Sequence, residues 1–254
     1  MKVIDGANIL ETQGRLVTVT AFTTLALQDA NASPIIAIWA TAQDHAQAKQ
    51  RKSPAAQRSV LLTRGTLRAL LYRLTGDLCW TLTADASGKL QAVKESGDIG
   101  PFISLSHTPD FIACAVSPHS AVGIDIERWR ERDYSAIASY VFSPLEQADV
   151  TREGPATFFR IWTMREALGK ATGHGLFAQI DGQNDEFVNW EMFYRVQDSC
   201  SLSIACQKTS TAARISYQEI APQLLTHIPA KEAGSVGRDP ALFLCDDTRA
   251  RGMG

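Results

Sequence analysis

Arg165-Glu-Ala-Leu-Gly-Lys-Ala-Thr-Gly173 closes one long helical segment, and it echoes Arg68-Ala-Leu-Leu-Tyr-Arg-Leu-Thr-Gly76, which closes another 97 residues earlier. Arg, Leu, a basic residue, Thr and Gly coincide in register. Ile-Ala-Cys recurs as well, at 112–114 and 204–206, an offset of 92. Either match alone is within reach of chance. Their agreement in order and spacing predicts a duplicated strand–helix–strand half. The halves are expected over 1–118 and 119–228, with a loose tail rich in Gly, Pro, Arg and Asp over 229–254.

Local signals around the echo fill in the elements. Ser53-Pro54 reads as an N-cap followed by proline at the first helical position, and Gly76 as the stop. Ser143-Pro-Leu-Glu146 is a capping box, and Pro155 to Thr172 is a helix ending at Gly173. Pro34–Ala40, Phe111–Val116 and Leu202–Cys206 are short apolar runs expected as buried strands. Ala121–Glu127 alternates as a strand does.

The bulk composition excludes several function classes. A chain of 254 residues is long enough to bury a core without disulfides. Its 45% hydrophobic and 20% charged content is that of a soluble globular protein. The five cysteines never form CxxC, which points to buried reduced thiols, and the start shows no secretion signal, so the cytosol is expected. The early uncharged run Leu16–Gln28 is short and carries four threonines, so no membrane partner is expected. With 25 Lys+Arg against 27 Asp+Glu, the chain is no polycation, and no nucleic-acid partner is expected. The charge is unevenly placed, however. From His45 to Gly76 there are seven basic residues and no acid, whereas Ala121–Glu191 holds twelve acids.

Three constellations carry chemistry. In Val122-Gly-Ile-Asp-Ile-Glu127 the alternation puts Asp125 and Glu127 on the face opposite Val122, Ile124 and Ile126. Two readings fit: a half-exposed strand with two solvated acids, or oxygen ligands for Mg²⁺. On the following helix, Trp162, Glu166 and Lys170 recur at i, i+4 and i+8 and share a face, with Arg165 beside them. That carboxylate is either an ordinary surface ion pair or a third metal ligand flanked by phosphate-holding groups. Gly169 inside the helix suggests a close approach. Third, Ser106-His107-Thr108 lies in a loop just before the Phe111 strand. Adjacent Ser and His side chains make a poor hydrolase dyad, and no G-x-S-x-G elbow exists; a phosphate-donating pair fits better.

In this order, Ser106-His-Thr108, Gly123-Ile-Asp-Ile-Glu127 and Trp162-Thr-Met-Arg-Glu-Ala-Leu-Gly-Lys-Ala-Thr-Gly173 resemble the 4′-phosphopantetheinyl transferase superfamily. The likeness is greatest to its larger, two-lobed Sfp-type members and spans roughly residues 35–215. The resemblance implies a pseudo-twofold α+β fold, Mg²⁺, coenzyme A as substrate and an apo acyl, polyketide or peptidyl carrier protein as partner. It also implies a monomeric, cytoplasmic enzyme that releases adenosine 3′,5′-bisphosphate. Carried over by position, Asp125, Glu127 and Glu166 hold the metal, and Glu166 is the base. His107 and Lys170 contact phosphates, with Ser106 helping. Arg51 and Arg58 resemble the nucleotide-phosphate clamp, and Gly88-Lys89 the Gly-Lys-Pro loop. Three departures stand out: Leu90 for proline, Ser104 for asparagine, and Arg165 for the usual lysine, this arginine being expected to face a phosphate. The rival readings are a non-catalytic coenzyme A or carrier-protein binding module and a metal-dependent phosphohydrolase.

Overall fold

The computed structural model describes residues 17–86, 88–173, 175, 189–197, 199–209 and 214–227. The sequence-predicted tail, with Ala241–Cys245, lies outside them. The first half runs β1 (Val17–Ala26), α1 (Ala32–Trp39), α2 (Ala42–Lys49), α3 (Pro54–Thr75), the hairpin β2 (Thr81–Ala84) and β3 (Leu90–Val93), then β4 (Phe102–His107) and β5 (Phe111–Ser117). The second runs β6 (Val122–Arg128), α4 (Tyr134–Val141), α5 (Pro144–Glu153), α6 (Pro155–Thr172), β7 (Trp190–Gln197) and β8 (Cys200–Gln207). β9 (Arg214–Glu219) and a 3₁₀ turn at Pro222–Thr226 follow.

The two halves are built alike. Sheet orders are β4-β5-β1 and β7-β8-β6, and every pair within them is antiparallel. The Ile-Ala-Cys echoes fall on β5 and β8, the central strand of each trio. The long helices α3 and α6 both begin with proline and both end at a left-handed glycine, Gly76 (φ 72°) and Gly173 (φ 82°). The fold is therefore a pseudo-twofold α+β chain. Among the described residues the β2–β3 hairpin has no counterpart in the second half, and β9 crosses back to pair parallel with β1.

Packing explains the apolar runs. On β5, Ile112, Cys114 and Val116 join the core under α3, while Ala113 and Ala115 meet Ile124 and Ile204 between the two sheets. A strand covered on both faces reads as a continuous apolar run rather than an alternation. Pro34–Ala40 read the same way for a different reason, and it is a helix. Asp29 accepts from the backbone N–H and side chain of Asn31, and Ala32 N–H bonds Asp29 O, which turns the chain into α1. Ala32, Ile35 and Trp39 are fully covered, while Ile36 and Ile38 also pack on the core. The exposed face carries Ser33, Pro34 and Ala37, and this small, largely apolar set hides the helical period.

Val122, Ile124 and Ile126 face the inter-sheet core, which turns Gly123, Asp125 and Glu127 toward α6. A Cβ on Gly123 would lie 1.8 Å from Ala167 O and 2.7 Å from Ala171 N. Only glycine lets strand and helix come this close. Gly169 answers the second suspicion raised by the sequence: its bare face meets Gly175 O, which a Cβ would approach to 2.3 Å. Among the described residues no helix is long and apolar enough to cross a membrane.

Because both obstructing atoms at Gly123 are backbone, Gly123→Ala must push α6 off β6. We expect a loss of roughly 1–3 kcal/mol in urea denaturation. A loss well under that would show that the helix can retreat freely.

Candidate functional site

β4 and β6 run beside one another where the halves meet, and neither pairs with the other in a ladder. Side chains bridge them. Ile124 N–H donates to Ser104 Oγ (3.1 Å), and Ser106 Oγ donates to Asp125 Oδ1 (2.7 Å). From α6, Lys170 Nζ reaches the same Oδ1 (2.7 Å) and Ile124 O (3.3 Å). Asp125 is buried at 4% exposure, so the reading as a solvated surface acid does not hold. Its second oxygen, Oδ2, is buried with no hydrogen-bond partner among the described residues.

The other two carboxylates stand in the same field. Burial pushes the Glu166 carboxyl above its usual range; the Asp125 charge adds to this, and Lys170 opposes it. Glu127 is raised by burial and then by Asp125, against Arg132, Arg130 and Lys170. The two arginines sit 3.9 and 3.7 Å from Glu127, beyond hydrogen-bonding distance. Glu166 has no ion pair among the described residues.

These three are oxygen donors, and the bare Oδ2 of Asp125 is a buried acceptor lacking a cation. That donor set fits Mg²⁺, which takes few protein carboxylates and completes its shell with water and phosphate oxygens. Among the described residues no three ligating side chains converge into a finished cage. The fit is to an ion whose shell the substrate completes.

A cavity of about 950 Å³ opens beside the carboxylates, at the top of the usual range for small-molecule sites. Its walls come from both halves: Arg51 and Ser59 at the start of α3, Lys89 from the β2–β3 turn, His107 at the end of β4, and Glu166 and Lys170 on α6. His107 is the last residue of β4, not a loop residue, and its side chain is exposed. Lys89 Nζ donates to Ala171 O at the end of α6 (2.8 Å), and burial lowers its pKa against the pull of Asp85.

Three sequence-predicted phosphate contacts lie elsewhere. Ser106 spends its hydroxyl on Asp125. Arg58 donates to Leu27 O (3.1 Å) and Ser33 Oγ (3.3 Å), tying α3 to the β1–α1 connection, and it does not line the cavity. Arg165 is buried; Nη2 and Nε grip Glu146 (2.5 and 3.3 Å), Nη1 caps Val141 O (2.9 Å), and the guanidinium lies over Phe142. The basic run is likewise mostly structural. Arg64 and Arg68 share the buried Asp44, and Arg73 bonds Leu224 O. Lys49, Arg51 and Lys52 stay exposed around the α2–α3 turn.

Sequence reasoning missed Asp44 and Glu146 as arginine partners. Each is the third residue of a capping box, Thr41-x-x-Asp44 and Ser143-x-x-Glu146, so one carboxylate both caps a short helix and anchors the next. The capping-box pattern was the available signal.

A family model described as the 4′-phosphopantetheinyl transferase superfamily matches residues 121–225, the segment from β6 through the 3₁₀ turn. Over that span the chain is similar to the 4′-phosphopantetheinyl transferase superfamily. It is 43% identical over 77 residues to the 4′-phosphopantetheinyl transferase AcpT of Salmonella typhi, covering 28% of this chain and 40% of the relative. With HetI of Nostoc sp. it shares 32% over 139 residues, 52% of this chain and 58% of the relative. With AcpT of Escherichia coli K12 it shares 39% over 124 residues, 47% and 64% respectively. The chain thus spans less than two thirds of these curated relatives.

The Arg165–Glu146 pair gives a test of placement. Burial pushes Glu146 up, but its bonds from Arg165 and Ser143 outweigh this and hold it below the usual range. A depressed carboxyl stabilises the fold above its unfolded pKa and loses that stabilisation as pH falls through the folded value. Wild type should therefore lose more stability than Glu146→Gln on acidification below about pH 4.3. A double-mutant cycle with Arg165→Met should show a coupling on the order of 1 kcal/mol. A coupling near zero would free Arg165 for another role.

Proposed function

We propose that the protein transfers the 4′-phosphopantetheine arm of coenzyme A to a serine hydroxyl of an apo carrier protein of fatty-acid, polyketide or peptide synthesis, releasing adenosine 3′,5′-bisphosphate. The observation that carries this reading is the convergence on one cavity of Glu166, Lys170, His107, Lys89 and Arg51, with Asp125 of β6 bonded to Lys170 in its wall. The match of residues 121–225 to the superfamily model supports it.

Mg²⁺ would be held by Asp125, Glu127 and Glu166 and would neutralise pyrophosphate charge as the reaction proceeds. Asp125 is oriented for this by Ser106 and Lys170. Glu166, raised above the usual carboxylate range and free of an ion partner among the described residues, takes the proton from the incoming serine. The serine oxygen then bonds to the β-phosphorus, and the bond from that phosphorus to the bridging oxygen breaks. The electron pair leaves with the adenosine bisphosphate. Lys170, one turn beyond Glu166, and His107 donate to the phosphate oxygens where negative charge grows. Lys89 adds a further cation on that wall. Arg51, with the exposed Lys49 and Lys52, meets the more highly charged nucleotide end. Cytoplasmic location and a monomeric state belong to the same reading. Cys79 is exposed rather than buried.

Intact-mass spectrometry of a panel of apo carrier proteins, incubated with coenzyme A and Mg²⁺, tests the proposal. At least one carrier should gain a single phosphopantetheine arm, and Glu166→Gln should cut the rate by roughly 10²-fold or more without unfolding the protein. Release of adenosine 3′,5′-bisphosphate with no carrier present would favour a phosphohydrolase instead. Coenzyme A binding without turnover on any carrier would favour a binding module.

A further inference from the structure

The pairing of a capping-box acid with a long-helix arginine is built twice, but not identically. In the second half Glu146 meets one arginine, Arg165, and the charges cancel. The register of the echo makes Arg68 the counterpart of Arg165, and Arg68 pairs with Asp44 in the same way. It fills the role completely: Nε donates to Trp80 O (3.1 Å), Nη1 to Trp39 O (3.3 Å) and Asp44 Oδ2, and Nη2 to Asp44 Oδ1 (3.3 Å).

The first half adds a second arginine on the same carboxylate. Arg64 donates from Nε to Asp44 Oδ1 and from Nη2 to Leu82 O (2.5 Å). Its counterpart in the second half is Ile161, a core residue. The fold's own device therefore works without an arginine at this position. Two guanidiniums on one carboxylate leave a net positive charge, and Arg64 carries it in the wall of the cavity at 8% exposure. Its Nη1 makes no hydrogen bond among the described residues. A nearly buried arginine with a spare donor, whose carboxylate is shared with a second arginine, leaves a charge that is costly unless a further anion meets it. It is also pre-organised to bind one.

The geometry points to Arg64 as a ligand-binding residue that takes a phosphate oxygen of the nucleotide end of the substrate. The resemblance had placed that role on Arg51 and Arg58, of which Arg51 lines the cavity and Arg58 lies off it. The identity of the ligand rests on the proposed function; the anionic chemistry rests on the charge count alone.

Calorimetric titration with adenosine 3′,5′-bisphosphate tests the assignment on wild type, Arg64→Met and Arg64→Lys. Asp44 keeps Arg68 in both variants, so both should fold, and a thermal melt checks this. Methionine should weaken binding by roughly tenfold or more, and lysine should recover part of the loss. Should methionine prevent folding, Arg64→Gln, which keeps a donor toward Leu82 O, takes its place with the same expected loss. Wild-type affinity in the neutral variant overturns the assignment and leaves the proposed function standing. Wild-type protein that binds neither the bisphosphate nor coenzyme A overturns both.

Discussion

One buried oxygen, Oδ1 of Asp125, receives a hydroxyl from β4 of the first half and an ammonium from α6 of the second. Much of the site's layout follows from that junction. An ionised carboxylate at this depth is costly unless paired and hydrogen-bonded, so Ser106 and Lys170 are both required where they are. Lys170 reaches it only because α6 lies almost in contact with β6, and α6 lies there only because residue 123 is glycine. The same approach brings Glu166, one turn earlier on the helix, to the wall of the cavity. Strand, helix and carboxylate row are positioned by a single contact.

Duplication explains why there is one such centre and not two. At the positions of Glu166 and Lys170 the first half has Ala69 and Arg73, and Arg73 is spent on Leu224 O. It can hold no equivalent carboxylate there. It contributes instead the end of β4, the hairpin with Lys89 and the start of α3. The structural device that survives in both halves is the capping-box acid bound to a long-helix arginine. It fixes the angle of the long helix, and in the second half it holds the turn that carries Glu166.

Much of this was legible in the sequence, and the failures have common causes. Helix ends at Ser53, Gly76, Ser143 and Gly173 were readable because caps are local chemistry. The alternation of β6 gave the facing of Asp125 and Glu127 correctly, since a period of two leaves no choice. The order of the three motifs pointed to the superfamily that the match over 121–225 then bore out. What was not legible is where long cations end up. Arg58, Arg68 and Arg165 looked available because their acceptors are carbonyls, a hydroxyl and acids up to 31 positions away, which no spacing rule encodes. α1 was misread because its exposed positions, Pro34 and Ala37 among them, are themselves apolar and erase its period. The role of Ser104 was hidden for a similar reason: it replaces a ladder bond between two strands that do not pair.

A single ligand filling this cavity touches both halves across the junction. Hydrogen exchange measured with and without coenzyme A and Mg²⁺ reads that contact. Amides in the first turns of α3, the β2–β3 turn, the end of β4 and the last turns of α6 should gain protection together. Protection confined to one half, or falling away from these four segments, would contradict it.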